Sequence, residues 1–146
     1  MIEPMSSSSS VKSSRTIEVV AAAVVKRDRL LLVRKRGTST FMLPGGKLEP
    51  GESDRECLLR EIKEELGAAP HSEFEHLGTF EADAANEPDH RVVARVYRLH
   101  LTDDAATSGE IEELAWYDLR QPAEHLTLAP LVSNFVIPRL RQSAPC

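Results

Sequence analysis

Residues 45–68, GGKLEPGESDRECLLREIKEELGA, are the stretch that decides the fold. A loop over residues 41–51, rich in glycine and proline and of the kind that brings backbone close to a ligand, leads into a predicted helix over residues 53–66. Ser53 and Glu56 have the spacing of a capping box, no proline interrupts the helix, and Gly67 stands where a C-terminal cap belongs. The buried face of the helix is predicted to consist of Leu58, Leu59, Ile62 and Leu66.

Three glutamates of this helix are predicted to share one edge. At about 100° per residue, Glu61, Glu64 and Glu65 point within roughly a third of the circumference, beside the apolar face. Because like charges at this spacing repel each other, a bound cation would stabilise them. Carboxylate oxygens are hard ligands that favour Mg²⁺ or Mn²⁺. Taken alone, such a run is more typical of a solvated helix face, so its interpretation depends on the surrounding pattern.

Predicted strands flank this stretch on both sides. A β-branched run over residues 17–25 and an apolar run over 30–33, joined by a polar turn, predict a hairpin. Three further strands and a final helix are predicted over residues 74–81, 91–101, 114–119 and 127–140. Pro130 fits the first turn of that helix, whereas Pro138 predicts an end or a kink before it. The order of elements indicates an α/β (α+β) fold with helices packed on a mixed sheet.

Length and composition are typical of one globular domain. The chain has 146 residues, 41% of them hydrophobic, and 18 Lys plus Arg against 23 Asp plus Glu. The net charge of -5 disfavours a structural or scaffolding role on nucleic acid. We expect a disordered serine-rich tail over residues 1–15, a single domain over 16–141 and a short tail over 142–146. With no signal-peptide pattern, no membrane-spanning run and two cysteines, the expected location is the cytoplasm, without a membrane partner.

The spacing of fixed residues in the quoted stretch resembles the Nudix box. The positions of that motif are occupied by Gly46, by Glu52 after five intervening residues, and by the run from Arg60 to Gly67 after seven more. Ala68 is small for the last apolar position. Outside the box, only the strand order and an acidic segment are similar. The resemblance implies a Nudix-type α/β/α sandwich with a mixed sheet between helices. It also implies hydrolysis of the pyrophosphate linkage of a nucleoside diphosphate derivative, with Mg²⁺ or Mn²⁺ as cofactor.

The resemblance implies roles for individual box residues. Glu61, Glu64 and Glu65 match the metal-binding glutamates, and Gly46 matches a glycine whose carbonyl can approach the metal. Glu61 or Glu64 is also a candidate to take the proton from the attacking water. Arg60, at four-residue spacing from Glu64, is expected to orient a ligand beside the reaction.

The remaining candidates lie outside the helix. In the family the general base varies between a box glutamate and a glutamate in a distant loop, so Glu110, Glu112 and Glu113 are candidates and Glu110 is preferred. Substrate contacts are predicted from the basic run at the second strand's end, from the glycine-rich loop and from aromatic residues. These candidates are Arg34 and Arg36 with Lys35 between them, Gly45, and Phe41, with Phe80, Tyr97 and Trp116 as further residues that could stack on a base.

Residues outside the box bear on the choice of substrate. The signatures associated with NADH and coenzyme A hydrolases are absent, and Pro88 lies several residues later than the proline associated with ADP-ribose. These absences favour a nucleoside triphosphate, including non-standard or oxidised ones, as the small-molecule partner. The alternatives are ADP-ribose or another nucleotide sugar, and a non-catalytic Nudix-fold module that binds a nucleotide, which the intact box disfavours. A homodimer is compatible with the sequence.

Overall fold

The computed structural model describes residues 15–85, 87–121 and 125–143. The elements in this part of the chain are β1 (Arg15–Lys26), β2 (Arg29–Lys35), β3 (Phe41–Met42), β4 (Gly45–Lys47), α1 (Asp54–Leu66), β5 (Glu75–Asp83), β6 (His90–Leu99), β7 (Ile111–Asp118) and α2 (Ile137–Ser143), with a π-helical turn (Val132–Val136) before α2. Residues 1–14 and 144–146 of the expected tails lie outside the described residues. Arg15, assigned to the tail, instead opens β1, and residues 142–143 belong to α2.

The strands form a mixed sheet, as predicted. Its order is β3-β2-β1-β6-β5, with β4 paired to β1 and β7 paired to β2. β1 and β6 run parallel over ten residue pairs, from Arg15↔His90 to Val24↔Leu99, and the other pairs are antiparallel. Because helices cover both faces of the sheet, β1 is a continuous apolar run where it is buried.

Two apolar clusters hold the three layers together. On one face α1 packs against alternate residues of β1 and β2, a cluster that includes Val20, Ala22, Leu31, Val33, Leu58, Ile62 and Leu66. On the other face the C-terminal helical segment packs against the intervening residues, a cluster that includes Ala21, Ala23, Leu30, Leu32, Val132, Val136 and Leu140. The α/β/α arrangement is therefore confirmed, and the central strands β1 and β2 bury side chains on both faces.

The buried arc of α1 differs from the predicted one at two positions. Leu59, predicted on the buried face, is 43% exposed, whereas Glu65 is buried at 7% exposure. The buried residues Cys57, Leu58 and Ile62 show the reason, because the arc they define is centred nearer to Glu65 than to Leu59. The helix thus buries the carboxylate of Glu65 and leaves the Leu59 side chain exposed.

The glycine-rich loop and the C-terminal helix also differ from expectation. The loop predicted over residues 41–51 contains β3 and β4, which pair with β2 and β1 respectively. The last helix was predicted from Thr127, but helical backbone begins at Pro130, and it continues past Pro138 to Ser143. The irregularity lies before this proline, where the N–H of Ile137 donates to Val132 five residues back. No helix in the described part of the chain is long and apolar enough to span a membrane.

Candidate active site

Both ends of α1 are capped by local hydrogen bonds. The Ser53 hydroxyl accepts a hydrogen bond from the Glu56 N–H at 3.1 Å, and the Glu56 carboxylate accepts one from the Ser53 N–H at 2.9 Å. Gly67 is left-handed (φ 62°) and its N–H donates to the Lys63 carbonyl. The capping box and the glycine cap predicted from the sequence are therefore confirmed.

Glu61 and Glu65 lie together against the glycine backbone of β4. The Gly45 N–H donates to Oε1 of Glu65 at 3.1 Å, and a Cβ on Gly46 would collide with the Glu61 carboxylate. Burial raises the pKa of Glu65, and the Glu61 charge beside it raises that pKa further. The two carboxylates thus lie together next to the backbone of a strand that has no side chains at Gly45 and Gly46.

Arg60 connects this carboxylate pair to the loop before the helix. Its guanidinium donates to both oxygens of Glu52, at 2.7 and 2.9 Å, and to Oε2 of Glu61 at 2.9 Å. It also donates to the Lys47 carbonyl at 3.1 Å. These bonds hold the pKa of Glu52 well below its ordinary value. Arg60 therefore contacts Glu52 and Glu61 more closely than Glu64, the residue at the predicted four-residue spacing, from which it lies 3.6 Å away.

Glu64 is placed differently from its two partners. Its side chain is 59% exposed, against 14% for Glu61, and it approaches Arg60 at 3.6 Å. Among residues 15–85, 87–121 and 125–143, no three acidic, histidine or cysteine side chains converge on one point. The structure thus brings together two of the three predicted glutamates. Their hard oxygens, close to each other and to a bare glycine, fit a divalent cation such as Mg²⁺ or Mn²⁺.

A cleft of about 670 Å³ opens beside this pair. Its lining comes from β1, β2, the segment with β3 and β4, α1, the end of β5 with the loop after it, β6, and the segment before α2. Most of the lining side chains are apolar. The end next to α1 is polar, with charges that include Lys35, Lys47, Arg60 and Glu61, and two further carboxylates, Asp83 and Glu87, line the cleft at and after the end of β5. The apolar lining can hold an apolar group, and the basic residues at the polar end can hold an anionic one.

The basic run after the second predicted strand divides between the two sides of the sheet. Lys35 lines the cleft, and its positive charge partly opposes the rise that burial causes in the pKa of Glu65. Arg34 pairs with Glu113 at 3.1 Å and donates to the Thr38 carbonyl, while Arg36 pairs with Glu112 at 3.2 Å. Of the three basic residues, the cleft therefore receives Lys35, whereas our first choices were its two neighbours.

The predicted aromatic contacts are not brought to the cleft. Phe41 is 5% exposed and lies in the core on the α2 face. Phe80, Tyr97 and Trp116 are likewise absent from the lining among the described residues. Their places are taken by aliphatic side chains such as Val92 and Leu131. The apolar end of the cleft is thus aliphatic.

The distant acidic segment approaches the last turn of α1. Glu110 is exposed, and its carbonyl accepts a hydrogen bond from the Arg36 N–H at 2.8 Å. Glu112 and Glu113 have the ion pairs with Arg36 and Arg34 described above. Glu110 is therefore the residue of the three whose carboxylate has no ion pair among the described contacts.

A network at the start of α1 was not predicted from the sequence. Arg95 of β6 donates to both oxygens of Asp54, at 2.8 and 3.0 Å, and the Tyr97 hydroxyl donates to the same carboxylate at 2.7 Å. The only sequence signal was an acidic residue in the first helical turn. The network attaches the helix that carries the glutamates to the centre of the sheet.

Comparisons with known proteins agree with this geometry. A model of the NUDIX domain matches residues 15–136. A CTP pyrophosphohydrolase of Escherichia coli (strain K12) is 30% identical over 122 residues, which cover 80% of this chain and 85% of the relative. An ADP-ribose pyrophosphatase of Methanocaldococcus jannaschii is 30% identical over 106 residues, covering 69% of this chain and 62% of the relative. A crystal structure of a MutT NUDIX hydrolase from Burkholderia pseudomallei superposes with a TM-score of 0.69 at 28% identity, covering 89% of this chain and 99% of that one. The chain therefore belongs to the Nudix hydrolase family and is a pyrophosphohydrolase.

Proposed function

We propose that this enzyme uses Mg²⁺ or Mn²⁺ to hydrolyse a nucleoside triphosphate, non-standard or oxidised nucleotides included, at a pyrophosphate linkage. The observation that carries the proposal is the adjacent pair Glu61 and Glu65, held against glycine backbone where the polar end of the cleft begins. A carboxylate buried beside a second carboxylate is costly to ionise without a cation, and a cation there would lie beside any phosphate in the cleft.

The proposed donors are Glu61 and Glu65, with Glu64 and the Gly46 carbonyl completing the set. When bound, Mg²⁺ or Mn²⁺ neutralises charge on the phosphate oxygens and lowers the pKa of a water molecule. Glu64 is exposed and one turn of helix from Arg60, so it is free to join from the solvent side. This donor set agrees with the box residues named from the sequence.

The other residues of the site orient the substrate and accept a proton. Arg60 holds the Glu61 carboxylate in place, and Lys35 and Lys47 line the cleft with positive charge suited to phosphate oxygens. A carboxylate takes the proton of the attacking water, and Glu110 is our choice over the box glutamates Glu61 and Glu64. Its lack of an ion pair among the described contacts supports this choice, because an unpaired carboxylate is free to act as a base.

A triphosphate substrate is preferred over ADP-ribose. The relative named for CTP matches over 85% of its length, whereas the relative named for ADP-ribose matches over 62%. The aliphatic end of the cleft supports a nucleoside, since it can hold a base or sugar. ADP-ribose or a nucleotide sugar is the second candidate. The cytoplasmic location and the homodimer stay predictions.

The test is a panel of nucleotides incubated with the protein, with products separated by chromatography. CTP, ATP, UTP, 8-oxo-dGTP and ADP-ribose are each supplied with Mg²⁺, with Mn²⁺ or with excess chelator. We expect at least one triphosphate to give a nucleoside monophosphate and pyrophosphate in a metal-dependent reaction. Turnover of ADP-ribose without turnover of any triphosphate would assign the second candidate, and undiminished turnover in chelator would remove the metal mechanism.

A further inference from the structure

Residues 106–110, here called the strap, cross the C-terminal end of α1. The Ala106 N–H donates to the Leu66 carbonyl at 3.0 Å, and the Ser108 N–H donates to the Glu65 carbonyl at 3.1 Å. The last carbonyls of a helix have no partner within it, so they need donors from elsewhere. The strap supplies these donors at the turn that carries Glu64 and Glu65.

The strap comes closest to the helix at Gly109. This residue has φ 58°, and a Cβ placed on it would lie 2.8 Å from the Glu64 carbonyl oxygen. Ordinary C···O contacts are about 3.3 Å or longer, so any side chain here would move the strap and the helix turn apart by roughly half an ångström. Only glycine permits the observed spacing.

The same segment is joined to two other parts of the site. Glu110 follows Gly109 directly, and its carbonyl accepts the Arg36 N–H at 2.8 Å. Arg36 is the neighbour of Lys35, which lines the cleft. The spacing at Gly109 therefore determines the positions of the loop glutamate and of the β2 end relative to α1.

We propose that Gly109 is a positioning residue for the hydrolysis. Its missing side chain sets the distance between the helix turn with Glu64 and Glu65 and the loop with Glu110. The inference rests on the proposed function. Gly109 is not among the residues that line the cleft, so it acts through the Glu64 carbonyl and not by contact with the substrate.

Gly51 provides a matched control. It also has a positive φ, 79°, but an added Cβ there would meet nothing within 4 Å. Gly109→Ala and Gly51→Ala therefore share the backbone strain of a left-handed residue and differ in the collision with the helix. A third variant, Gly109→Asn, keeps the collision with a residue type that tolerates this conformation.

The experiment measures kcat and KM for a hydrolysed nucleotide, and amide hydrogen exchange without substrate. For Gly109→Ala and Gly109→Asn we expect kcat to fall on the order of tenfold or more, as sub-ångström to ångström misplacement does, with KM near that of the wild type. Exchange at the amides of Ala106 and Ser108 should accelerate in both variants. Gly51→Ala should keep kcat and these exchange rates while losing some melting temperature.

The outcomes separate the inference from the function on which it rests. Equal losses of kcat in the Gly109 and Gly51 variants, or native kcat in Gly109→Asn with native exchange, would overturn the positioning role. If Gly109→Ala does not fold, Gly109→Asn decides by the same comparison. A wild-type protein that hydrolyses no nucleotide contradicts the proposed function itself, and the exchange measurement then still shows whether the strap depends on Gly109.

Discussion

The backbone N–H of Gly45 donates a hydrogen bond of 3.1 Å to Oε1 of Glu65, and this bond joins β4 to α1. It gives a buried carboxylate one of the few donors available inside the fold. Burial nevertheless raises the pKa of Glu65, with the Glu61 charge acting in the same direction. Two adjacent carboxylates of this kind destabilise the metal-free protein, and a bound divalent cation would remove that cost.

Removing the charge of either member of this pair should abolish most of the activity. We expect Glu61→Gln and Glu65→Gln each to lower kcat on the order of a hundredfold or more, because both variants keep side-chain volume while removing a negatively charged donor. The measurement is steady-state kinetics with Mg²⁺, alongside circular dichroism to check folding. Glu73→Gln, at an exposed position away from the cleft, is the control. Near-native rates in both folded variants would show that catalysis lies elsewhere.

Glu61 and Glu65 should lower the melting temperature of the metal-free protein and raise it when a divalent cation is bound. Millimolar Mg²⁺ or Mn²⁺ should raise the melting temperature of the wild type, since a ligand that binds only the folded state stabilises it. Glu65→Gln removes the repulsion, so its metal-free form should melt at or above the wild-type temperature and respond less to metal. Differential scanning fluorimetry with and without chelator provides the comparison. A metal shift that is equal in both proteins would place the cation outside this pair.

Substitution of Arg60 should lower activity even when the new residue is lysine. Its guanidinium holds Glu52 through two bonds and Glu61 through a third, and an ammonium group cannot reproduce that fork. Arg60→Lys should lower kcat on the order of tenfold, with a smaller change in KM. Arg120→Lys, which alters an exposed pair with Asp118, is the matched control and should keep native kinetics. If both variants behave alike, Arg60 has no positioning role.

The three glutamates of the acidic segment should respond unequally to loss of charge. Glu110→Gln should reduce kcat strongly, because this carboxylate is the candidate base without an ion pair among the described contacts. Glu112→Gln and Glu113→Gln remove exposed pairs with Arg36 and Arg34 and should leave the rate nearly native. Profiles of kcat against pH for the three variants make the test. If Glu110→Gln keeps a native kcat while Glu112→Gln or Glu113→Gln lowers it strongly, the general base is that other glutamate.

The Asp54 network predicts a contribution to stability that depends on pH. The hydrogen bonds from Arg95, together with that from Tyr97, lower the pKa of Asp54 below its ordinary 3.8. A carboxylate with a lowered pKa stabilises the fold above its unfolded-state pKa and loses that contribution as the pH falls through the folded-state pKa. Asp54→Asn should therefore cost about 2 kcal/mol of unfolding free energy at neutral pH and less below pH 3.8.

Urea denaturation of both proteins across this pH range measures the difference. Glu81→Gln, at an exposed pair with Arg91, is the control and should change stability by less than about 1 kcal/mol. The wild type and Asp54→Asn are compared by their free energies of unfolding at pH 7 and below pH 3.8. If the difference between them is the same at both pH values, the stabilisation by Asp54 is not electrostatic.

Local patterns in the sequence determined the elements around the site. The capping box at Ser53 and the glycine cap at Gly67 marked the ends of α1, because caps depend on residues only a few positions apart. The spacing of the box residues in turn identified the family, and the order of strands and helices indicated the layered fold. All of these properties depend on contacts close in sequence or on a motif read as a whole.

The tertiary structure decided which side chains face the cleft. Helical periodicity gives the angle between Leu59 and Glu65, but not the direction in which the sheet lies, and the sheet buries Glu65. Likewise, the alternation of side chains along a strand places Lys35 on the opposite face from Arg34 and Arg36, but it does not tell which of the two faces lines the cleft. The pairing of β4 with β1, the Arg95 bond to Asp54 and the approach of Gly109 to Glu64 each join residues about 25 to 45 positions apart. Such contacts arise only when the whole chain packs, so no local pattern contains them.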